Sequence, residues 1–157
     1  MIRRLGLAGL VLVLAHPAAA LSCLRPSVAQ TFNTLNAVEE TYIMVRGVFT
    51  ALPREPAPPE GETTATEPYV IQARFVGDMA TATGFDRSLD LPVTVEVGCT
   101  DDWCGSLPEG EMIAFLEQRS GFYVLAAEAC PFAALPASPE SEAQALSCLR
   151  AEACEAD

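Results

Sequence analysis

Six cysteines, Cys23, Cys99, Cys104, Cys130, Cys148 and Cys154, constrain this 157-residue chain more than any other feature. An even number in a short chain that carries an export signal reads as a set of disulfides. Spacing separates that use from metal or redox chemistry. Cys99 and Cys104 form C-x4-C and Cys148 and Cys154 form C-x5-C, neither a C-x-x-C redox pair nor a paired zinc-knuckle pattern. Sequence alone does not choose among the pairings of six cysteines. The preferred set joins Cys23 with Cys130, Cys99 with Cys104 and Cys148 with Cys154; Cys23 with Cys104 is the main competitor. The first bridge ties the N-terminus of the mature chain to the end of the last strand, and the other two close short local loops. Each contributes about 2–4 kcal/mol, mainly by restricting the unfolded chain.

Residues 1–20 have the three parts of a secretory signal. Arg3 and Arg4 supply the positive start, Leu5 to Ala15 an apolar stretch, and Ala18-Ala19-Ala20 the small residues before a cut. Cleavage is expected after Ala20. A membrane span needs about 20 apolar residues, and this stretch is shorter. Ala20-Leu21-Ser22-Cys23 resembles a lipobox only weakly, because Ala20 stands where an aliphatic residue is usual and Cys23 has a disulfide role. Removing the leader takes Arg3, Arg4 and the lone His16. All 21 acidic residues lie beyond it, so the formal charge moves from −12 to 7 minus 21, or −14. The chain holds no lysine at all.

These absences exclude whole classes of chemistry. Without histidine or lysine in the mature chain there is no Ser-His-Asp or Cys-His arrangement, no Schiff base and no imidazole metal ligand. No serine has a base to activate it. The expectation is a chain that is not an enzyme and has no cofactor or metal. A strongly negative surface repels phosphate backbones, so nucleic acid is not an expected partner.

Along the mature chain, Ser27 is an N-cap candidate with Gln30 three residues on, and Val28, Phe32 and Leu35 recur at helical spacing. Thr41 to Leu52 is β-branched and aromatic, a first strand. Residues 53–68 hold five prolines and four glutamates with no large apolar residue, and read as an acidic Pro-rich loop. Tyr69 to Gly77 reads as the second strand, with Tyr69, Ile71, Ala73 and Phe75 on one face and Gln72 and Arg74 on the other. Leu91 to Cys99 alternates most clearly, Val93, Val95, Val97 and Cys99 pointing one way. Glu111 to Arg119 and Phe122 to Ala129 follow as a hairpin about Ser120-Gly121. Pro131 to Ser138 reads as loop. Ser138-Pro139-Glu140 then starts an Ala-rich helix expected to run to about Glu152. The fold expected over residues 21–157 is mainly β: one domain, an OB-like five-stranded antiparallel barrel with a short N-terminal helix and a C-terminal helix.

This order of features resembles the netrin-like domain, the OB-type barrel of tissue inhibitors of metalloproteases and related secreted modules. The resemblance runs from Cys23 to about Leu135. It is carried by Cys23 before a helix and long strand, Cys104-Gly105, Gly110 entering the strand MIAFLEQ, the hairpin at Gly121, and FYVLAAEAC ending in Cys130-Pro131-Phe132. It implies a non-catalytic module that binds other proteins or small ligands outside the cytoplasm. In the inhibitor branch a cysteine at the very N-terminus chelates the target's zinc. Cleavage after Ala20 leaves Leu21 and Ser22 ahead of Cys23, which blocks that geometry, and the branch's Cys-x-Cys pair is a single cysteine here.

The candidate interaction residues are Asp101, Asp102 and Trp103, in the segment Thr100-Asp101-Asp102-Trp103-Cys104-Gly105. There the only tryptophan stands beside two carboxylates on a disulfide-closed loop, a binding anchor if exposed and a lid over the core if not. No calcium-loop pattern surrounds the two aspartates. Glu39-Glu40 and Glu109/Glu111 are adjacent acids with no nucleophile to serve. Arg46 and Arg74 lie in strands, within reach of carboxylates across the sheet. The expected role is a periplasmic or secreted binding module for an unknown protein or small ligand of the envelope. A structural or stress-related envelope accessory protein is the alternative, followed by an inhibitor-like protein and last a thiol-redox enzyme.

Overall fold

A computed structural model describes residues 23–24, 26–53, 67–152 and 154–155. The expected leader and most of the Pro-rich segment 53–68 lie outside the described residues. The elements are α1 (Val28–Leu35), β1 (Tyr42–Ala51), β2 (Tyr69–Ala80), β3 (Phe85–Val97), β4 (Cys99–Thr100), β5 (Trp103–Cys104), β6 (Met112–Arg119), β7 (Phe122–Ala127), β8 (Ala134–Pro136) and α2 (Pro139–Leu149).

Five strands close a barrel in the order β1-β2-β3-β7-β6, with β1 also hydrogen-bonded to β6. All of these pairs are antiparallel except β3–β7, which is parallel from Val93↔Tyr123 to Val97↔Ala127. The barrel is therefore mixed, where the sequence suggested antiparallel pairing throughout. The reason is topological. A closed ring with an odd number of strands cannot alternate direction all the way round, so one neighbouring pair must be parallel. Parallel neighbours need a long connection, and residues 98–121, which include β6, supply it.

The barrel interior follows the alternation of the sequence. Val45 and Phe49 of β1, Ala73 and Phe75 of β2, Val93, Val95 and Val97 of β3, Leu116 of β6 and Leu125 of β7 form one buried cluster. Outward residues of β1 and β6 form a second, in which Met44, Ile113 and Phe115 pack against Val28 of α1 and Ala145 of α2. The helices thus cover the outside of β1–β6, and both faces of β6 are buried from Met112 to Leu116. Ser27 caps α1 by accepting from the Gln30 amide at 3.2 Å. Ser138 caps α2 and exchanges hydrogen bonds with Ser141 in both directions. Thr31 is fully buried, and its hydroxyl donates to the Phe132 carbonyl at 3.0 Å, holding α1 to the segment that follows β7.

Three disulfides join Cys23 to Cys130, Cys99 to Cys104 and Cys148 to Cys154. Among the described residues no helix is long and apolar enough to cross a membrane.

Several boundaries differ from expectation. Segment 131–138 is not all loop, because β8 pairs with β6 through Ala134↔Ala114, Leu135↔Ile113 and Pro136↔Met112. Three residues show no periodicity to read. Strand β3 starts at Phe85 rather than Leu91, and β2 runs on to Ala80. Between Asp86 and Asp90 the outward residues are polar and the strand carries few apolar signals, yet the backbone pairs with β2 from Phe85↔Ala80 to Val97↔Tyr69, with one register shift between Met79 and Ala80 that leaves Asp86 without a partner in the ladder. The helix α2 stops at Leu149, short of Glu152.

Barrel curvature has a local cause at a cross-strand glycine pair. Gly47 of β1 lies opposite Gly77 of β2, and the Phe75 ring fills the space that two side chains would take. A Cβ on Gly47 would lie 2.3 Å from the Val76 carbonyl oxygen, 2.7 Å from the Gly77 Cα and 2.8 Å from Phe75 Cζ. Phe75 also meets Phe49 with ring centroids 5.0 Å apart, a tilted aromatic pair. Two of those three neighbours are backbone and cannot turn aside. Gly47→Ala is therefore expected to destabilise the protein by about 1–3 kcal/mol through overpacking. Urea unfolding checks this, and an unchanged midpoint would contradict the account.

Candidate functional site

The segment Gly98 to Gly105 is a miniature hairpin at one end of the barrel. Its two strands pair as Cys99↔Cys104 and Thr100↔Trp103, and the Cys99–Cys104 disulfide locks the first pair. Asp101 and Asp102 form the turn. Asp101 has a φ of 52°, a left-handed conformation that aspartate tolerates better than most residues.

Two glycines fasten this hairpin to the barrel. The Gly98 amide donates to the Ala127 carbonyl at 3.1 Å, and the Gly105 amide donates to the Gly98 carbonyl at 2.9 Å. A Cβ on Gly105 would lie 1.9 Å from the Ala127 carbonyl oxygen and 2.7 Å from that of Glu128. Only glycine permits that approach, which gives Cys104-Gly105 a physical reason.

Trp103 is 54 % exposed. It is not a lid over the core; its neighbour Cys104 is the residue of the hairpin that packs against the interior cluster. The indole stands in solvent on a short ladder held by a disulfide and two backbone hydrogen bonds. Asp101 and Asp102 are exposed beside it.

Next to the hairpin, an open groove of about 490 Å³ runs between the start of β2 and the end of β3, lined by Tyr69, Val70, Glu96, Cys99 and Glu128 among others. Tyr69 and Val70 are both exposed, and Val70 faces Glu96 across the ladder. Further along the same outer face, Val48 and Val76 are exposed opposite each other. The sequence did mark these positions. Val70 and Val76 share the outward parity of Gln72 and Arg74, and an apolar residue there is unexpected on a solvated face. Tyr69 has inward parity but sits at the strand's end, beyond the packed interior. Glu128, just after β7, carried no signal.

Glu96 is held by Arg119, whose guanidinium donates at 2.7 and 3.2 Å to Glu96 and at 2.6 and 2.7 Å to Glu117. This double fork crosses β3, β7 and β6 on the outer face. Val124 lies in register between Thr94 and Glu117 and is almost fully buried. Hydrogen bonds from Arg119 hold the Glu117 carboxyl below the usual range against the opposing effect of burial, and both carboxylates hold the Arg119 proton more tightly than usual.

Two further arginines are engaged elsewhere. Arg74 forks onto Asp90, and Arg46 reaches Glu111 at 3.1 Å and Glu142 at 3.0 Å. Among the described residues, no group of three His, Cys, Asp or Glu side chains is placed to hold a metal ion. No family model, curated protein or solved structure matches this chain.

The Arg119 fork carries a pH signature. A carboxyl whose folded-state pKa is depressed stabilises the fold above its unfolded value, near 4.3 for glutamate, and loses that contribution as pH falls through the folded value. Arg119 and Glu96 are more than a third exposed, so water screens much of the attraction. Arg119→Gln should then cost about 1 kcal/mol at neutral pH, a difference that shrinks once pH drops below about 4. Denaturant titrations of both proteins across that range check it; a cost independent of pH would contradict the assigned ion pairs.

Proposed function

We propose that this protein is an exported, non-catalytic binding module, related to netrin-like domains, that holds a protein partner on the rim formed by Trp103, Tyr69 and Val70. The leader is removed after Ala20, and the mature chain acts in the periplasm or outside the cell. Three disulfides suit an oxidising compartment. Lack of histidine and lysine in the mature chain argues against nucleophilic or acid–base catalysis, and the negative charge argues against nucleic acid.

One observation carries this reading. A tryptophan more than half exposed is held on a hairpin cross-linked by a disulfide, so the chain loses less conformational freedom when a partner covers it. Tryptophan is the residue most often found to anchor interfaces. Tyr69 and Val70 expose apolar surface along the groove that Cys99, at the base of the same hairpin, also lines, while Asp101, Asp102 and Glu128 add negative charge. The complementary partner presents an apolar pocket or ridge flanked by arginine or lysine. Zinc chelation of the metalloprotease-inhibitor kind does not suit a mature chain that starts at Leu21, two residues ahead of Cys23.

The test is capture from envelope extract on the immobilised, oxidised mature protein, with Trp103→Ala as the paired bait. The captured protein is then purified and titrated against both while the single tryptophan's emission is followed. Binding at least about tenfold tighter to the native rim, with a change in Trp103 emission, is the expected result. Equal affinity for both baits would remove Trp103 from the interface. Failure to capture any saturable partner would favour a structural or stress-related accessory protein without a discrete ligand.

A further inference from the structure

Away from the rim, a second cavity of about 270 Å³ opens where the helix layer meets the barrel. Its walls come from four parts of the chain: Phe32 and Leu35 of α1, Tyr42 and Met44 of β1, Phe115 of β6 and Leu149 of α2. These same residues belong to or pack against the buried cluster beneath the helices, so the cavity floor is part of the folded core. Three aromatic rings and a thioether make a polarisable lining that suits a ring or short chain. The volume is close to the lower end of ligand pockets, about 300 Å³, which limits an occupant to a small molecule.

The electrostatics of the mouth are one-sided. Among the described residues, Glu40 is the only charged one that lines the cavity. Tyr42 lies across from Glu117 in the β1–β6 ladder. Its hydroxyl is held above the ordinary phenol range by burial first, then by Glu117 and Glu40, with Arg119 opposing. Arg119 itself is occupied by Glu117 and Glu96.

Both helices also end here. Leu35 and Asn36 are the last residue and C-cap of α1, and Leu149 is the last residue of α2. A helix C-terminus carries partial negative charge that a basic residue in the last turn usually offsets, and neither helix has one there. Arg150, the C-cap of α2, is committed to the Ala82 carbonyl, to which its Nε donates at 2.7 Å.

We infer that this cavity binds a small cationic amphiphile, an aromatic or short-chain amine, with its apolar body against Phe32, Tyr42, Met44 and Phe115 and its ammonium group at the mouth beside Glu40 and the two helix ends. An anion of the same shape meets Glu40 without any cation lining the cavity to offset it. A neutral isostere keeps the apolar contacts and loses the charge contact. The site is separate from the Trp103 rim, and each stands or falls without the other.

Phenethylamine, phenethyl alcohol and phenylacetate, matched in shape but positive, neutral and negative, are the probes. Each is titrated into the oxidised protein while backbone amide resonances are followed by NMR. The amine is expected to shift the amides of Leu35, Val38, Tyr42 and Leu149, and to bind at least about threefold tighter than the alcohol, with phenylacetate weakest. Glu40→Gln should remove most of the amine's advantage over the alcohol and leave the alcohol unchanged. Val38 lines the mouth and is 45 % exposed, so Val38→Trp blocks entry without disturbing the core and should abolish amine binding. The inference is overturned if phenylacetate or the alcohol binds as tightly as the amine, if no probe shifts these amides, or if the shifts centre on the groove at Val70.

Discussion

Everything in this fold follows from β1 being shared. It bonds to β2 along one edge and to β6 along the other, and that double use turns a sheet into a ring. Closure removes most open strand edges, the usual hazard of a β-sheet protein. It also requires tight curvature at β1 and β2, which Gly47 and Gly77 permit by letting two backbones and the Phe75 ring share a space too small for a Cβ. The parallel β3–β7 pair is a second consequence of the ring, since five strands cannot alternate around a circle. The long connection this pair needs carries the Trp103 hairpin, and so the barrel's topology creates the place where the candidate site sits.

The three disulfides act at different scales. Cys23–Cys130 spans 107 residues, and in the chain-entropy picture a loop of that length is worth roughly 4–5 kcal/mol. It also brings the start of α1 to the end of β7, where Thr31 and Phe132 are hydrogen-bonded. Cys99–Cys104 closes a much shorter loop, worth about 2 kcal/mol in the same picture, and it also fixes the pair of strands that present Trp103. Cys148–Cys154 folds the tail back on α2, where the Asn33 side chain donates to the Cys154 carbonyl at 3.1 Å and links the tail to α1.

The sequence disclosed these parts unevenly, for physical reasons. The OB-like barrel with a helix at each end was legible because Val93, Val95 and Val97, and the run around Phe115, alternate or cluster strongly enough to mark buried strands. Both helix starts were legible because Ser27 and Ser138 are good caps. Strand β8 was not, since three residues carry no period, and neither was Phe85 to Asp90, where pairing with β2 rather than burial defines the strand. The parallel pair was hidden because direction leaves no trace in hydrophobic pattern. At the rim, Asp101, Asp102 and Trp103 stood out by composition, but whether the indole faced inward or outward depended on Gly105 meeting β7, a long-range contact. The amine cavity was invisible, because its lining comes from four separated segments, each of which reads as ordinary core.

One bridge fastens Cys23 to the segment after β7, and another fixes the Trp103 hairpin. Peptide mass mapping of the native protein, digested without reduction and with free thiols trapped beforehand, tests both at once. Three linked peptide pairs are expected, Cys23 with Cys130, Cys99 with Cys104 and Cys148 with Cys154, with no trapped thiol. A Cys23–Cys104 link, or untouched free cysteines, would contradict this pairing.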